Sequence, residues 1–289
     1  MTQVGRLLGE AGIADPAEVA DVTALAGGSV GSVWLVRLAG GSAVVVKTAD
    51  DPPDGMFAAE ADGLAALGGP LRTPAVIGAA RRWLVLEALE PCPQGPAAGF
   101  WAKAGSDIAR LHAIGGERYG WQADGWLGRL PQRNAWSDDG HEFFATHRIL
   151  RFLEEPKVAA ALEPADRRGL ERLCDRLPEL IPASPPVLTH GDLWRGNTVS
   201  CDGEPAFIDP AVCWMWAETD ISMMYCTAQF AAPEDFFAAY NEVRPLAAGW
   251  RDRMPILHLR EQLSVVAHLG PEPGSLAGIR RTIEPFTRR

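Results

Sequence analysis

The chain has 289 residues, 47 % apolar and 22 % charged, with a formal net charge of −10 at neutral pH. That length allows two lobes with separate cores or one large domain, and the composition excludes a disordered or fibrous chain. The acidic balance argues against a general affinity for nucleic acid or anionic membranes, and no apolar run approaches the ~20 residues of a membrane span.

The opening "MTQVGRLLGEAGIADPAEVA" lacks the basic start and apolar core of a secretory signal. Five scattered cysteines (Cys92, Cys174, Cys201, Cys213, Cys226) form no CxxC pair. Both features predict a cytoplasmic protein with reduced thiols that act as small buried hydrophobes. In chain order, "VGSVWLVRL" (30–38) and "AVVVKT" (43–48) predict two strands joined through the glycines of "AGG". "MFAAEADGLAALGG" (56–69) predicts a helix with Phe57, Ala61, Leu64 and Leu67 on one face, stopped by Gly68-Gly69. A strand follows at 82–89, and the Pro/Gly-rich 90–96 reads as a linker. Helices are expected at 100–116, 140–155, 164–180 and from about 217 onward. The expectation is an α+β protein: a small β-rich lobe over 1–89, a larger helical lobe over 90–289, and a ligand cleft between them.

The chemistry concentrates in "LTHGDLWRGN", Leu188 to Asn197. The Asp202-Gly203 pair predicts a two-residue hairpin turn, which sets Asn197 opposite Ile208 and next to Asp209. An amide oxygen and a carboxylate at that spot suit Mg²⁺, which takes one or two carboxylates and completes its shell with phosphate oxygens and water. Asp192 is left to accept a proton from a hydroxyl, the division of labour that phosphoryl transfer uses. His190 reads as a loop brace. In the N-terminal lobe, Gly27, Gly28 and Gly31 precede a strand, so that backbone N–H groups can approach phosphate oxygens; Ser29 lies between them.

Lys47 shares a strand face with Val45, and Glu60 falls on the core side of the following helix. Each needs an opposite charge, either as a structural pair or to position ATP phosphates. Main-chain groups from Glu87 to Leu89 are placed to read adenine. Trp194 and Trp216 either pack in the core or offer flat faces to a sugar or an ammonium group. Glu218 and Asp220 either attract a cationic amine or serve as partners of Arg195 or of helix ends. Arg195 is also a candidate for phosphate charge.

"LTHGDLWRGN" with "FIDPA" and "AETDISMM" resembles the fructosamine kinase (ketosamine-3-kinase) family, in the aminoglycoside phosphotransferase-like branch of the protein-kinase-like fold. Leu193-Trp194, Asp209-Pro210-Ala211, "GGS" at 27–29, "AEADGL", "LVLEAL" and "LGRLPQRNAW" before "EFF" carry the match from residue 27 to about 225. The resemblance implies a bilobal kinase-like fold using ATP and Mg²⁺. It implies phosphorylation of the 3-hydroxyl of a fructosamine or ribulosamine, after which the amine is released. The acceptor would be a small or protein-bound ketosamine, with no nucleic acid or membrane partner. It assigns Asp192 as base, Asn197 and Asp209 as metal ligands, and Lys47 with Glu60 as the phosphate-positioning pair.

Three departures bear on the acceptor rather than on phosphotransfer. "MWAE" (215–218) stands where the family carries Gly-Asp, "GGSVG" lacks an expected Asn, and "SVVAHLGPEPGS" follows the family's His-rich helix only loosely. An aminoglycoside or other amino-alcohol acceptor is therefore the alternative. A catalytically silent protein is disfavoured by the presence of all five phosphotransfer residues, and a metallohydrolase by the lack of a histidine pair at i, i+4.

Overall fold

The computed structural model describes residues 2–25, 30–92, 95, 99–228 and 230–287. Two compact units emerge: Met1–Phe100 with Gly125–Pro131 and Asn197–Ala211, and Trp101–Asp124 with Gln132–Gly196 and Val212–Arg289. The first crossing falls after Phe100 rather than at the expected 89/90 boundary, and two later segments return to the N-terminal unit.

In the first unit, Thr2 caps helix α1 (Gln3–Glu10) by accepting a hydrogen bond from the Gly5 N–H. Strands β1 (Val19–Leu25), β2 (Ser32–Leu38) and β3 (Ala43–Thr48) precede helix α2 (Met56–Leu67), then β4 (Val76–Ala80) and β5 (Trp83–Glu87). The five strands form an antiparallel sheet in the order β1-β2-β3-β5-β4. Strand alternation separates its faces. Val36, Val44, Val46 and Val85 pack with Val4 and Leu8 of α1, whereas Val45, Leu84 and Leu86 pack with Phe57 and Leu64 of α2. Lys47 follows the parity of Val45 and so belongs to the α2 face. The edge strands β1 and β4 were not expected from sequence. Both are largely exposed, so neither carries the apolar alternation that marks a half-buried strand.

The remaining elements run α3 (Phe100–Leu111), the hairpin β6 (Gly125–Leu127) and β7 (Leu130–Gln132), and α4 (Gly140–Phe144). Helices α5 (Pro156–Ala161), α6 (Pro164–Asp175) and α7 (Leu177–Leu180) follow, then strands β8 (Val187–Thr189), β9 (Thr198–Cys201), β10 (Glu204–Phe207) and β11 (Cys213–Met215). The chain closes with α8 (Ala217–Cys226), α9 (Pro233–Val243), α10 (Trp250–Leu257), α11 (Leu259–Leu269) and α12 (Pro273–Thr287). Two expected helices are broken. After α4 the backbone widens into a π turn over Ala145–Ile149 and tightens into a 3-10 turn over Leu150–Glu154. The 164–180 stretch divides at Arg176, and Pro178 opens α7, where the N–H it lacks has no helical partner to miss.

The core of the second unit is built on Ile108, Leu111, Phe143, Phe144, Phe152, Leu173, Leu263 and Ile283. Among the described residues no helix is long and apolar enough to cross a membrane. His258, at the junction of α10 and α11, is buried, and its Nδ1 has no partner among the described residues. Burial, and then the charge of Arg260, lower its pKa to about 4.

An unfolded histidine takes its proton near pH 6.5, so between that pH and about 4 the unfolded chain binds more protons. Stability should therefore fall as pH drops through this window, by about 3 kcal/mol in all if His258 acts alone. Urea unfolding at stepped pH should show this slope in the native chain and a flatter one in His258→Leu.

Candidate active site

The sequence-predicted residues fall into two sets, one in each unit. In the first, Lys47 Nζ lies 2.6 Å from Glu60 Oε1 and also bonds Asp209 Oδ1. The lysine and Glu60 side chains are 15 % and 17 % exposed and that of Asp209 41 %, so the ammonium is enclosed while one carboxylate still meets solvent. Burial works against the charged lysine, but Asp209 and Glu60 outweigh it and raise its pKa. Glu60 is raised as well, by burial first; Lys47 opposes that shift and Asp209 adds to it. One ammonium is thus shared by two carboxylates, and incoming phosphate oxygens would compete for it.

Asp209 reaches Lys47 through the β9–β10 hairpin. Thr198 pairs with Phe207 and Cys201 with Glu204, and Asp202 and Gly203 close the turn with φ of +51° and +84°. Two positive φ angles mark the primed turn that Asp-Gly favours. The ladder continues with the Ile208 N–H donating to the Asn197 carbonyl at 3.0 Å, as the hairpin reading expects. Asp209 itself takes φ of +56°, a left-handed conformation that a non-glycine residue holds only when its surroundings enforce it. Asn197 and Asp209 supply one amide oxygen and one carboxylate. Among the described residues no three His, Cys, Asp or Glu gather into a ready-made metal centre. A hard divalent ion fits this pair provided that ligand oxygens complete its shell.

In the second unit, β8 pairs with β11 and delivers the chain into the His190-Gly191-Asp192 loop. Asp220, 1 % exposed on α8, accepts the His190 N–H at 2.6 Å and the Gly191 N–H at 2.9 Å. His112 Nε2 meets the same carboxylate at 3.1 Å, and its Nδ1 lies 2.8 Å from the Tyr240 hydroxyl. Burial opposes the ionisation of Asp220, but the hydrogen bond and charge of His112, then His190 and the Gly191 N–H, hold its pKa below the usual carboxylate range. Arg260 on α11 donates to the Gly191 carbonyl. His190 accepts the Asp192 N–H on Nδ1 at 3.3 Å, which is the bracing role read from sequence. Asp192 is half-buried at the end of this clamp.

Several expectations change. Trp216 is 2 % exposed and packs against Tyr119, His141 and Phe144, so it belongs to the core and offers no face to an acceptor. Glu218 is held by Arg253 in two hydrogen bonds of 2.8 and 2.5 Å, which uses its charge inside the protein. Asp220 is a loop clamp and not an amine receptor. Trp194 stays 43 % exposed, with its ring lying over Gly196, and Arg195 is half-buried.

The Glu87 carboxylate pairs with Arg72 at 2.5 and 3.0 Å, and its own N–H donates to the Ala75 carbonyl. Of Glu87, only the carbonyl then remains to read adenine, together with the backbone of half-buried Leu89. Gly27, Gly28 and Ser29 lie outside the described residues. Gly31 is explained by packing alone, since a Cβ there would stand 2.0 Å from the Thr48 carbonyl oxygen. His112, Tyr240 and Arg260 were missed by sequence reasoning. A histidine closing the "ARLH" helix end carries no spacing signal that would tie it to an aspartate more than 100 residues away.

Removing Lys47 leaves Glu60 enclosed without its cation. Lys47→Met should therefore cost about 3 kcal/mol in urea unfolding, and adding Glu60→Leu should restore much of it. A neutral single mutant would mean that the ion pair contributes nothing net to folding.

The family model for fructosamine kinase matches residues 2–283. A probable ketoamine kinase of Synechocystis is 34 % identical over 212 residues, 71 % of this chain and 70 % of that one. The chloroplastic protein-ribulosamine 3-kinase of Oryza sativa subsp. indica is 28 % identical over 260 residues, 86 % of this chain and 73 % of that one. A solved Thermobifida fusca structure described as a fructosamine-3-kinase superposes with a TM-score of 0.82 at 34 % identity, covering 92 % of this chain and 94 % of that one. Aminoglycoside phosphotransferase bound to AMP-PNP and hygromycin B shares the fold alone, at 14 % identity and a TM-score of 0.67. The chain belongs to the fructosamine kinase family and is a small-molecule kinase of the kinase-like α+β fold.

Proposed function

We propose that this protein transfers the γ-phosphoryl group of ATP to the 3-hydroxyl of a fructosamine or ribulosamine, and that the 3-phosphate then breaks down to release the amine. The observation that carries this reading is the convergence of Lys47, Glu60 and Asp209, which come from a strand, a helix and the end of a hairpin. Each belongs to the small set of groups that phosphoryl transfer from a nucleotide requires.

Asp192 accepts the proton of the attacking hydroxyl as its oxygen bonds to phosphorus and the bond to the ADP oxygen breaks. The Asp220 clamp on the two preceding amides keeps that carboxylate from drifting, and a loop held on both N–H and C=O sides is an oriented one. Lys47 turns from Asp209 toward the nucleotide phosphates, with Glu60 keeping it in place. Mg²⁺ on Asn197 and Asp209 would supply neutralisation of the phosphate oxygens. Trp194 is the exposed aromatic next to the base and suits the apolar face of a sugar. With the reduced thiols expected of its scattered cysteines, we place the reaction in the cytoplasm.

ATP-dependent transfer should be measured to a fructosyl-amine, a ribulosyl-amine, an aminoglycoside and choline. A ketosamine should be preferred, and Asp192→Asn should bind ATP normally while losing at least a thousandfold in kcat. Preference for the aminoglycoside or choline would discard the substrate and keep the mechanism. Near-normal turnover by Asp192→Asn would remove it from the base role.

A further inference from the structure

The β6–β7 hairpin belongs to the first unit although the chain on either side of it belongs to the second. Its strand β6 lies against α2, the helix that carries Glu60. At the tip Gly128 takes φ of +56°, and the exposed Arg129 beside it reaches two loops of the same unit. Its Nη1 donates to the Asp51 carbonyl at 3.1 Å and its Nη2 to the Val30 carbonyl at 3.4 Å. Both acceptors lie outside the strands, so no sheet ladder holds them, and the planar fork of one guanidinium ties them together.

The two tied points flank the lysine. Val30 packs with Ala49, Phe57 and Leu64 on the α2 face of the sheet, the face to which Lys47 belongs. Gly31 presses on the Thr48 carbonyl, and Val33, two residues on, pairs with Lys47. In sequence Val30 also follows Gly27, Gly28 and Ser29 directly, the run read as phosphate-binding. Asp51 lies in the loop from β3 to α2, between Lys47 and Glu60 in the chain. The backbone placed to read adenine is at the other end of β3, where Glu87 pairs with Val44.

Resting on the reading of Lys47 as a phosphate contact, we propose that Arg129 is a positioning residue for the nucleotide phosphates. It holds the entry to β2 against the loop that joins the lysine to its glutamate. Loop segments that are free to move must be ordered when a ligand binds, and that ordering subtracts from affinity. A strap made beforehand removes part of this cost. The gain falls on the phosphates and not on adenine, because both carbonyls lie at the Thr48 end of the sheet.

The test measures ATP, ADP and adenosine binding to the native enzyme and to Arg129→Ala by calorimetry, with no acceptor present. The variant should bind ATP and ADP about fivefold more weakly or worse, and adenosine as the native enzyme does. In turnover its KM for ATP should rise by a similar factor, with kcat and the acceptor KM unchanged. Native affinity for ATP in the variant overturns the proposal. An equal loss for adenosine also overturns it, since that marks a general loosening of the first unit. If the alanine variant fails to fold, as judged by its circular dichroism melt, Arg129→Gln takes its place under the same criteria. A native enzyme that binds ATP no tighter than adenosine overturns the phosphate reading of Lys47 itself, an outcome distinct from unchanged affinity in the variant.

Discussion

A carboxylate that is 1 % exposed must be given hydrogen bonds or it will not stay charged, and Asp220 receives its bonds from the backbone that carries Asp192. This constraint organises much of the second unit. Helix α3 ends where His112 reaches the carboxylate, α9 brings Tyr240 to the far side of that ring, and α11 brings Arg260 to the Gly191 carbonyl. A loop between strands would otherwise be among the least stable parts of a fold. Here its polar groups are tied to α8, α3 and α9 through one buried anion, and to α11 through Arg260. In the role proposed for Asp192, a base within hydrogen-bond reach of a hydroxyl, that rigidity would be an advantage.

The first unit solves a related problem by sharing charge. Lys47 occupies a strand position whose neighbours on the same face are apolar, and it is tolerated because α2 and the β9–β10 hairpin each present a carboxylate. Glu60 alone would make a closed structural pair. Asp209 makes the arrangement exchangeable, because it is the more exposed carboxylate and is held in a left-handed conformation that its surroundings must impose. On the proposed reading, phosphate oxygens would take over the Asp209 contact with Lys47 and leave the lysine on Glu60.

The parts legible in the sequence are those set by local periodicity and short spacing. The parity of Val45 and Lys47, the core-side angle of Glu60 and the Asp202-Gly203 turn were each fixed by two or three neighbouring residues. The edge strands were not legible because exposure erases their alternation. The helix breaks at 145–154 and 176 answer to packing that no window of ten residues contains. The acceptor residues failed for a different reason. Trp216 and Glu218 have the right chemistry for a cationic sugar, but residue type does not say whether a ring is already stacked or a charge already used. Tyr119, Phe144 and Arg253 decide that, and each lies more than 30 residues away.

The same distinction separates the two arginine environments near the loop. Arg253 is matched by Glu218 in a two-pronged pair, and nothing more is asked of either. Arg148 makes three hydrogen bonds to carbonyl and amide oxygens, which satisfy its donors without neutralising it, and the cavity it lines also carries the Asp220 and Glu261 carboxylates. Hydrogen-bond satisfaction and charge compensation are separate demands on a buried ion. The π turn that carries Arg148 is an uncommon backbone form found disproportionately where function requires it. It brings Arg148 to the cavity wall that Gly191 shares, one residue before Asp192.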